Sequence, residues 1–152
     1  MAGIIITNGT ILDPSRNLQQ RGDLIIRDGK IHSIAAPNGS SGTAKPDKVI
    51  DATGCYVTPG LIDIHTHVYV KGRASTLYPD DTSLVAGTTT VVDAGVSGWR
   101  NFDDFKATII DKSQTRVLAF LNILGRGMSN DRLDENNVAD MDPERNFGAK
   151  LL

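Results

Sequence analysis

Cysteine is almost absent. Cys55 is the one thiol in 152 residues, so no internal disulfide can form, which fits a reducing compartment and a cytoplasmic location. Runs of like charge are missing too. The 16 basic and 18 acidic side chains are scattered and sum to a net charge of −2. Without clustered Lys and Arg the chain lacks the electrostatic footprint of a nucleic-acid binder. Apolar stretches such as Ile4-Ile5-Ile6 fall far short of the ~20 residues that span a membrane. The first residues show no basic region followed by an apolar segment, as a secretory signal would. What is present is ordinary globular composition, with 39% hydrophobic and 22% charged residues, neither disordered nor fibrous. A chain of this length can bury roughly 70% of its unfolded surface. The expectation is a soluble, cytoplasmic protein of one or two small domains, with neither nucleic acid nor membrane as partner.

Residues 1–57 read as short strands joined by tight turns. Ile4 to Thr7 is apolar and β-branched, Asn8-Gly9 reads as a turn, and Thr10 to Leu12 resumes the strand before Asp13-Pro14 stops it. Asp28-Gly29 lies between Asp23–Arg27 and Lys30–Ile34, a hairpin signal because both turn positions tolerate positive φ. The composition of residues 36–46 predicts a flexible surface loop. Val49–Asp51 and Tyr56-Val57 add short strands. The block is expected to form part of a small antiparallel sheet or sandwich.

From Thr58-Pro59-Gly60 onward the pattern changes. Leu61–Val68 is a strand candidate, Asp80–Ala86 a short helix with acidic first turn ending at Gly87, and Thr88–Ala94 a buried strand. Over residues 102–112 the spacing places Phe102, Phe105, Ile109 and Ile110 on one helical face. Arg116–Leu124 reads as a third strand. This alternation is the signature of a parallel α/β sheet or barrel. Asp142-Pro143-Glu144 looks like a further helix start, with Phe147 and Leu151 on its buried face. The sequence given stops barely ten residues into that helix, and the expectation is an interrupted element within something longer.

The segment with chemical content is Pro59-Gly60-Leu61-Ile62-Asp63-Ile64-His65-Thr66-His67. Side chains two apart on a strand share a face, so Asp63, His65 and His67 are expected on one side and Ile62, Ile64 and Thr66 on the other. Two imidazoles at adjacent levels can present ring nitrogens to one divalent ion, and zinc suits such ligands. Asp63 is placed to orient them as a hydrogen-bond acceptor. An isolated His-x-His is commonly surface decoration or a satisfied core pair. Here it follows a Pro-Gly entry into an α/β pattern, and in a barrel of that kind catalytic groups sit at the C-terminal ends of strands.

The run Tyr56–His67 resembles the segment that opens the barrel in the amidohydrolase superfamily, as in dihydroorotases, hydantoinases and related deacetylases. Asn8-Gly9 and Asp28-Gly29-Lys30-Ile31 are similar to the N-terminal sandwich strands of that family. Pro79 to Gly95 and Thr115 to Ile123 resemble its deacetylase branch most. The resemblance implies an α/β fold, the N-terminal part of a (β/α)8 TIM barrel preceded by strands of a small β-sandwich domain. Residues 1–57 would be the sandwich strands. Residues 58–152 would be the first three β/α units, truncated in the third helix. A complete barrel takes about 250 residues.

The implied chemistry is metal-dependent hydrolysis of amide, cyclic amide or ester bonds. One or two divalent ions, usually zinc, would activate a water and polarise the carbonyl, and a proton-shuttling aspartate on the last barrel strand is expected beyond residue 152. His65 and His67 would be metal ligands. Asp63, Asp93 and Asn122 are candidates to orient the ligands or line the pocket, the last two near the C-terminal ends of their predicted strands. The family's other ligands have no counterparts here: the third histidine, His32, lies in the first block, and Lys150 fits a helix better than a bridging position. The expected partners are a small-molecule substrate and, in a full-length form, copies of the same chain. Two alternatives stand beside this reading: a truncated, non-catalytic folding or interaction module, and a deaminase on the same scaffold. Cys55, without a basic neighbour, is expected to be a small packing residue, and Gly125-x-Gly127 a turn.

Overall fold

Strand β1 (Gly3–Asp13) runs through the Asn8-Gly9 pair that the sequence suggested as a turn. The computed structural model describes residues 3–39, 46–72, 76–128 and 137–144, and in it β1 pairs antiparallel with β2 (Leu18–Arg27). Ile6 faces Leu24 while Gly9 faces Gly22, so β1 carries one extra residue. That is a bulge, not a reversal. Asn8 takes up the extra length in the left-handed region at φ 63°, and its N–H, lost to the ladder, donates to the buried Asp23 carboxylate at 3.0 Å. Gly9 is required by close approach: a Cβ there would lie 2.5 Å from Val57 Cγ2 and 3.2 Å from Ala52 Cβ.

The Asp28-Gly29 reading holds. Both residues have positive φ, 53° and 72°, and they join β2 to β3 (Lys30–Ala35) with Arg27 opposite Lys30. Strands β4 (Lys48–Asp51) and β5 (Tyr56–Val57) both pair with β1, and both run parallel to it. The five strands therefore form a mixed sheet, not the antiparallel one expected, because β4 comes back to β1 through the long connection 36–47 rather than a hairpin turn, and β5 continues along β1 in the same direction. Its buried apolar residues include Ile5, Ile11, Leu24, Ile25 and Ala52. Cys55 is exposed in a turn and does not pack as expected. Residues 40–45 of the loop predicted from composition lie outside the described residues.

The chain divides into two compact units between Pro59 and Gly60. Among the described residues the second contains three parallel strands in the order β6-β7-β8: β6 (Leu61–Thr66), β7 (Thr88–Gly98) and β8 (Arg116–Asn122). The β6–β7 connection holds one turn of α-helix, α1 (Pro79–Thr82), and a 3₁₀ turn at Leu84–Ala86. The single helix expected over Asp80–Ala86 is broken because the Ser83 carbonyl accepts from both Ala86 and Thr88, tightening the chain ahead of Gly87. The β7–β8 connection is α2 (Phe102–Phe105), which widens into a π-turn over Lys106–Ile110. Phe105 and Ile109 are buried as their spacing predicted. They pack with Val68, Tyr69, Val91, Val96 and Val117, and the Tyr69 and Phe105 rings lie 4.9 Å apart.

The expected apolar face of β6 is not buried. Ile62 and Ile64 are 66% and 67% exposed, because β6 is the edge of this sheet and pairs with β7 alone among the described residues. Pro143 and Glu144 are helical as predicted, while Phe147, Lys150 and Leu151 lie outside the described residues. Among the described residues no helix is long and apolar enough to cross a membrane.

Candidate metal centre

β6 brings His65 and His67 to the C-terminal end of the parallel sheet. Simple alternation is not what places them. Asp63 faces Val91 and Thr66 faces Asp93, so three steps along β6 match two along β7, a second bulge that breaks the period of two. Inside it, Asp63 Oδ1 accepts the backbone N–H of His65 at 3.0 Å. Asp63 thus shapes the His65 backbone, and the orienting contact with an imidazole that the sequence suggested is not the hydrogen bond it makes. Thr66 closes the bulge by donating its hydroxyl to the Val92 carbonyl at 3.1 Å.

The two imidazoles meet edge to face, with ring centroids 5.6 Å apart at 83°. His65 is exposed, His67 half-buried. The Nδ1 atom of His67 is buried and has no hydrogen-bond partner among the described residues. A buried ring nitrogen left unpartnered is costly, and it is not the condition of a satisfied core histidine. Two adjacent nitrogen donors, one of them unsatisfied, fit half of a tetrahedral zinc set. No group of three or more His, Cys, Asp or Glu side chains able to hold a metal occurs among the described residues, so further donors would have to come from elsewhere.

Asp93 is fully buried beside this pair, near the middle of β7. Its Oδ2 accepts from the Val68 N–H and its Oδ1 from the Val96 N–H, each at 2.8 Å. Burial pushes its carboxyl above the ordinary carboxylate range, opposed by the Val68 and Val96 N–H groups and by nearby His67. Asn122, at the end of β8, donates to the Gly95 carbonyl at 3.1 Å and accepts from Leu124 N–H at 3.0 Å. Its amide therefore ties β8 to β7. The structure brings His65, His67 and Asp93 together around the end of β6 and leaves Asn122 beyond the intervening β7. The sequence marks Thr66 only by its expected place on the face opposite Asp63, and marks Ser97 not at all. Ser97 Oγ is buried near the end of β7 without a hydrogen-bond partner among the described residues, and a serine in an apolar strand carries no signal of that.

A sequence profile of the amidohydrolase family matches residues 48–122. A deacetylase of Agrobacterium fabrum is 34% identical over 149 residues, covering 95% of this chain and 36% of its own length. Among solved structures, a dihydroorotase superposes with a TM-score of 0.81 at 30% identity, covering 95% of this chain and 38% of that one. An adenine deaminase superposes with a TM-score of 0.74 at 25% identity, covering 95% and 37%. The chain thus spans under two-fifths of the length of these relatives.

Proposed function

Since this chain belongs to the amidohydrolase superfamily, we propose that it carries the opening part of a metal-dependent hydrolase for amide, cyclic amide or ester bonds, with His65 and His67 as ligands of a divalent ion. The observation that carries this reading is the unpartnered, buried Nδ1 of His67 beside the imidazole of His65. Zinc, as one ion or two, is the metal this donor chemistry favours. When bound, such an ion supplies Lewis acidity, polarising a carbonyl and lowering the pKa of water.

The chain's own residues supply position. The Asp63 carboxylate and the Thr66 hydroxyl hold the bulged backbone on which His65 and His67 stand. Val68 and Tyr69, directly after His67, are in the apolar core, so the second histidine is anchored on its C-terminal side by packing. Two histidines are two of the four donors that zinc takes, and the proton-shuttling aspartate belongs to the later part of the barrel. Catalysis therefore belongs to a longer protein, acting in the cytoplasm on a small-molecule substrate, with copies of itself as partners.

The test is metal analysis of the full-length protein and of its His65→Ala and His67→Ala variants. Loss of bound zinc and of hydrolysis in both supports the reading, and folded variants with full metal content overturn it. A deaminase on the same scaffold is the second reading, supported by likeness to the adenine deaminase structure. Ammonia release from an aminopurine, without hydrolysis of acyl substrates, would select it. A non-catalytic module is favoured by the exposed Ile62 and Ile64 on the edge strand, and would bind no metal tightly.

A further inference from the structure

We infer that Asp93 is a positioning residue for His67, a clamp on the backbone just beyond the second histidine that sets its imidazole before any metal arrives. The inference rests on the proposed ligand role of His67. Both carboxylate oxygens are occupied by main-chain donors from two elements: Val68, the residue after His67, and Val96, in β7 beyond Asp93. One side chain thereby joins the segment that leaves β6 to the strand beside it.

The need for such a clamp follows from the strand's own geometry. β6 ends at Thr66, so His67 lies past the last ladder pair. The bulge between Asp63 and Thr66 removes regular pairing on the other side. His65 is fixed by Asp63 accepting its N–H, and Thr66 by its bond to Val92. On the C-terminal side of His67 the main chain is held by a long bond from Leu77 N–H to the His67 carbonyl, at 3.4 Å, and by the shorter bond from Val68 N–H to Asp93, at 2.8 Å. Without the latter, that side rests on the long Leu77 bond and on the packing of Val68 and Tyr69. A metal ligand displaced by even a fraction of an ångström loses affinity, and partners of the ligand-bearing segment contribute about 10- to 100-fold.

An acid is required at position 93 for a chemical reason. The main-chain N–H groups of Val68 and Val96, with that of Tyr69 beside them, converge on it, and a carboxylate offers acceptors to all of them. Asparagine keeps the shape but turns an N–H toward one of these donors. Alanine accepts from none of them.

The experiment uses the full-length protein, with zinc affinity measured by chelator competition and cobalt absorption spectra taken at saturation. Asp93→Ala should weaken zinc binding by about 10- to 100-fold and shift the cobalt bands, with Asp93→Asn in between. Asp80→Ala is the structural control. It removes a carboxylate that accepts from Gln114 and Thr115 at the opposite end of the same sheet, and should lower stability while leaving affinity and spectrum unchanged. A folded Asp93→Ala protein with wild-type affinity and spectrum overturns the clamp. If that variant does not fold, amide exchange in metal-stripped wild type decides: protected Val68 and Val96 amides support the clamp, and free exchange at Val68 overturns it. Full zinc in His67→Ala instead removes the ligand reading on which it rests, a failure separable from the clamp's own.

Discussion

Asp80 and Thr115 are joined by two hydrogen bonds to a single carboxylate oxygen, 2.8 Å from the Thr115 N–H and 2.7 Å from its hydroxyl. The other oxygen accepts from Gln114 N–H at 2.8 Å. The first turn of α1 is thereby tied to the foot of β8, 35 residues away in sequence.

The Gln114 and Thr115 N–H groups hold the Asp80 carboxyl below the ordinary carboxylate range. A depressed folded-state pKa contributes stability that is present above the unfolded value and lost as pH falls through the folded one. Wild type should therefore exceed Asp80→Asn in urea midpoint by a constant margin near pH 7, and the margin should shrink below about pH 4. A margin independent of pH across that window would contradict the assignment.

Phe105 is fully buried at the centre of the second unit's core, against Tyr69. Phe105→Ala should cost about 3–5 kcal/mol, as large-to-small changes at such sites do. Chemical denaturation of the full-length protein measures it. A cost under about 1 kcal/mol would mean that the ring is not packed as described.

Gly98 ends β7 where backbone crowds it. A Cβ there would collide with the Leu124 carbonyl and lie 2.6 Å from both Gly125 O and Gly127 N. These are main-chain atoms that no rotamer change can move. Gly98→Ala should destabilise by at least about 1–3 kcal/mol, read as a lower Tm, whereas Gly54→Ala, with open space around its Cβ site, should show only the smaller cost of its positive φ.

Tyr69 donates its hydroxyl to Asp104 at 2.7 Å, and burial, with the Asp104 carboxylate, raises its phenol to about 12. Ultraviolet titration should show one of the three tyrosines of this chain ionising well above the others. Tyr69→Phe should abolish that late step, and its persistence would place the perturbed phenol elsewhere.

Elements were legible where one local pattern was enough. The Asp28-Gly29 hairpin, the run into β7 and the Phe105–Ile109 face each follow from residue type and spacing within a dozen positions. The Asn8-Gly9 pair misled because the same positive-φ residue serves a turn or a bulge, and pairing with β2 selects between them. The parallel pairing of β4 and β5 with β1 was hidden for a similar reason. Nothing local to a strand encodes the direction of its neighbour.

At the candidate site, the His-x-His spacing singled out the two imidazoles only together with its Pro-Gly entry, the α/β pattern around it and the family resemblance of Tyr56–His67, and β6 delivers both to one end of the sheet. Their surroundings were a tertiary matter. The bulge in β6 reassigns Asp63 from the ring to the backbone of His65. Asp93 reaches Val68 across 25 residues of sequence, and Asn122 spends its amide on Gly95 and Leu124. A carboxylate or an amide can serve many donors, and only the packed chain decides which of them come within hydrogen-bonding distance.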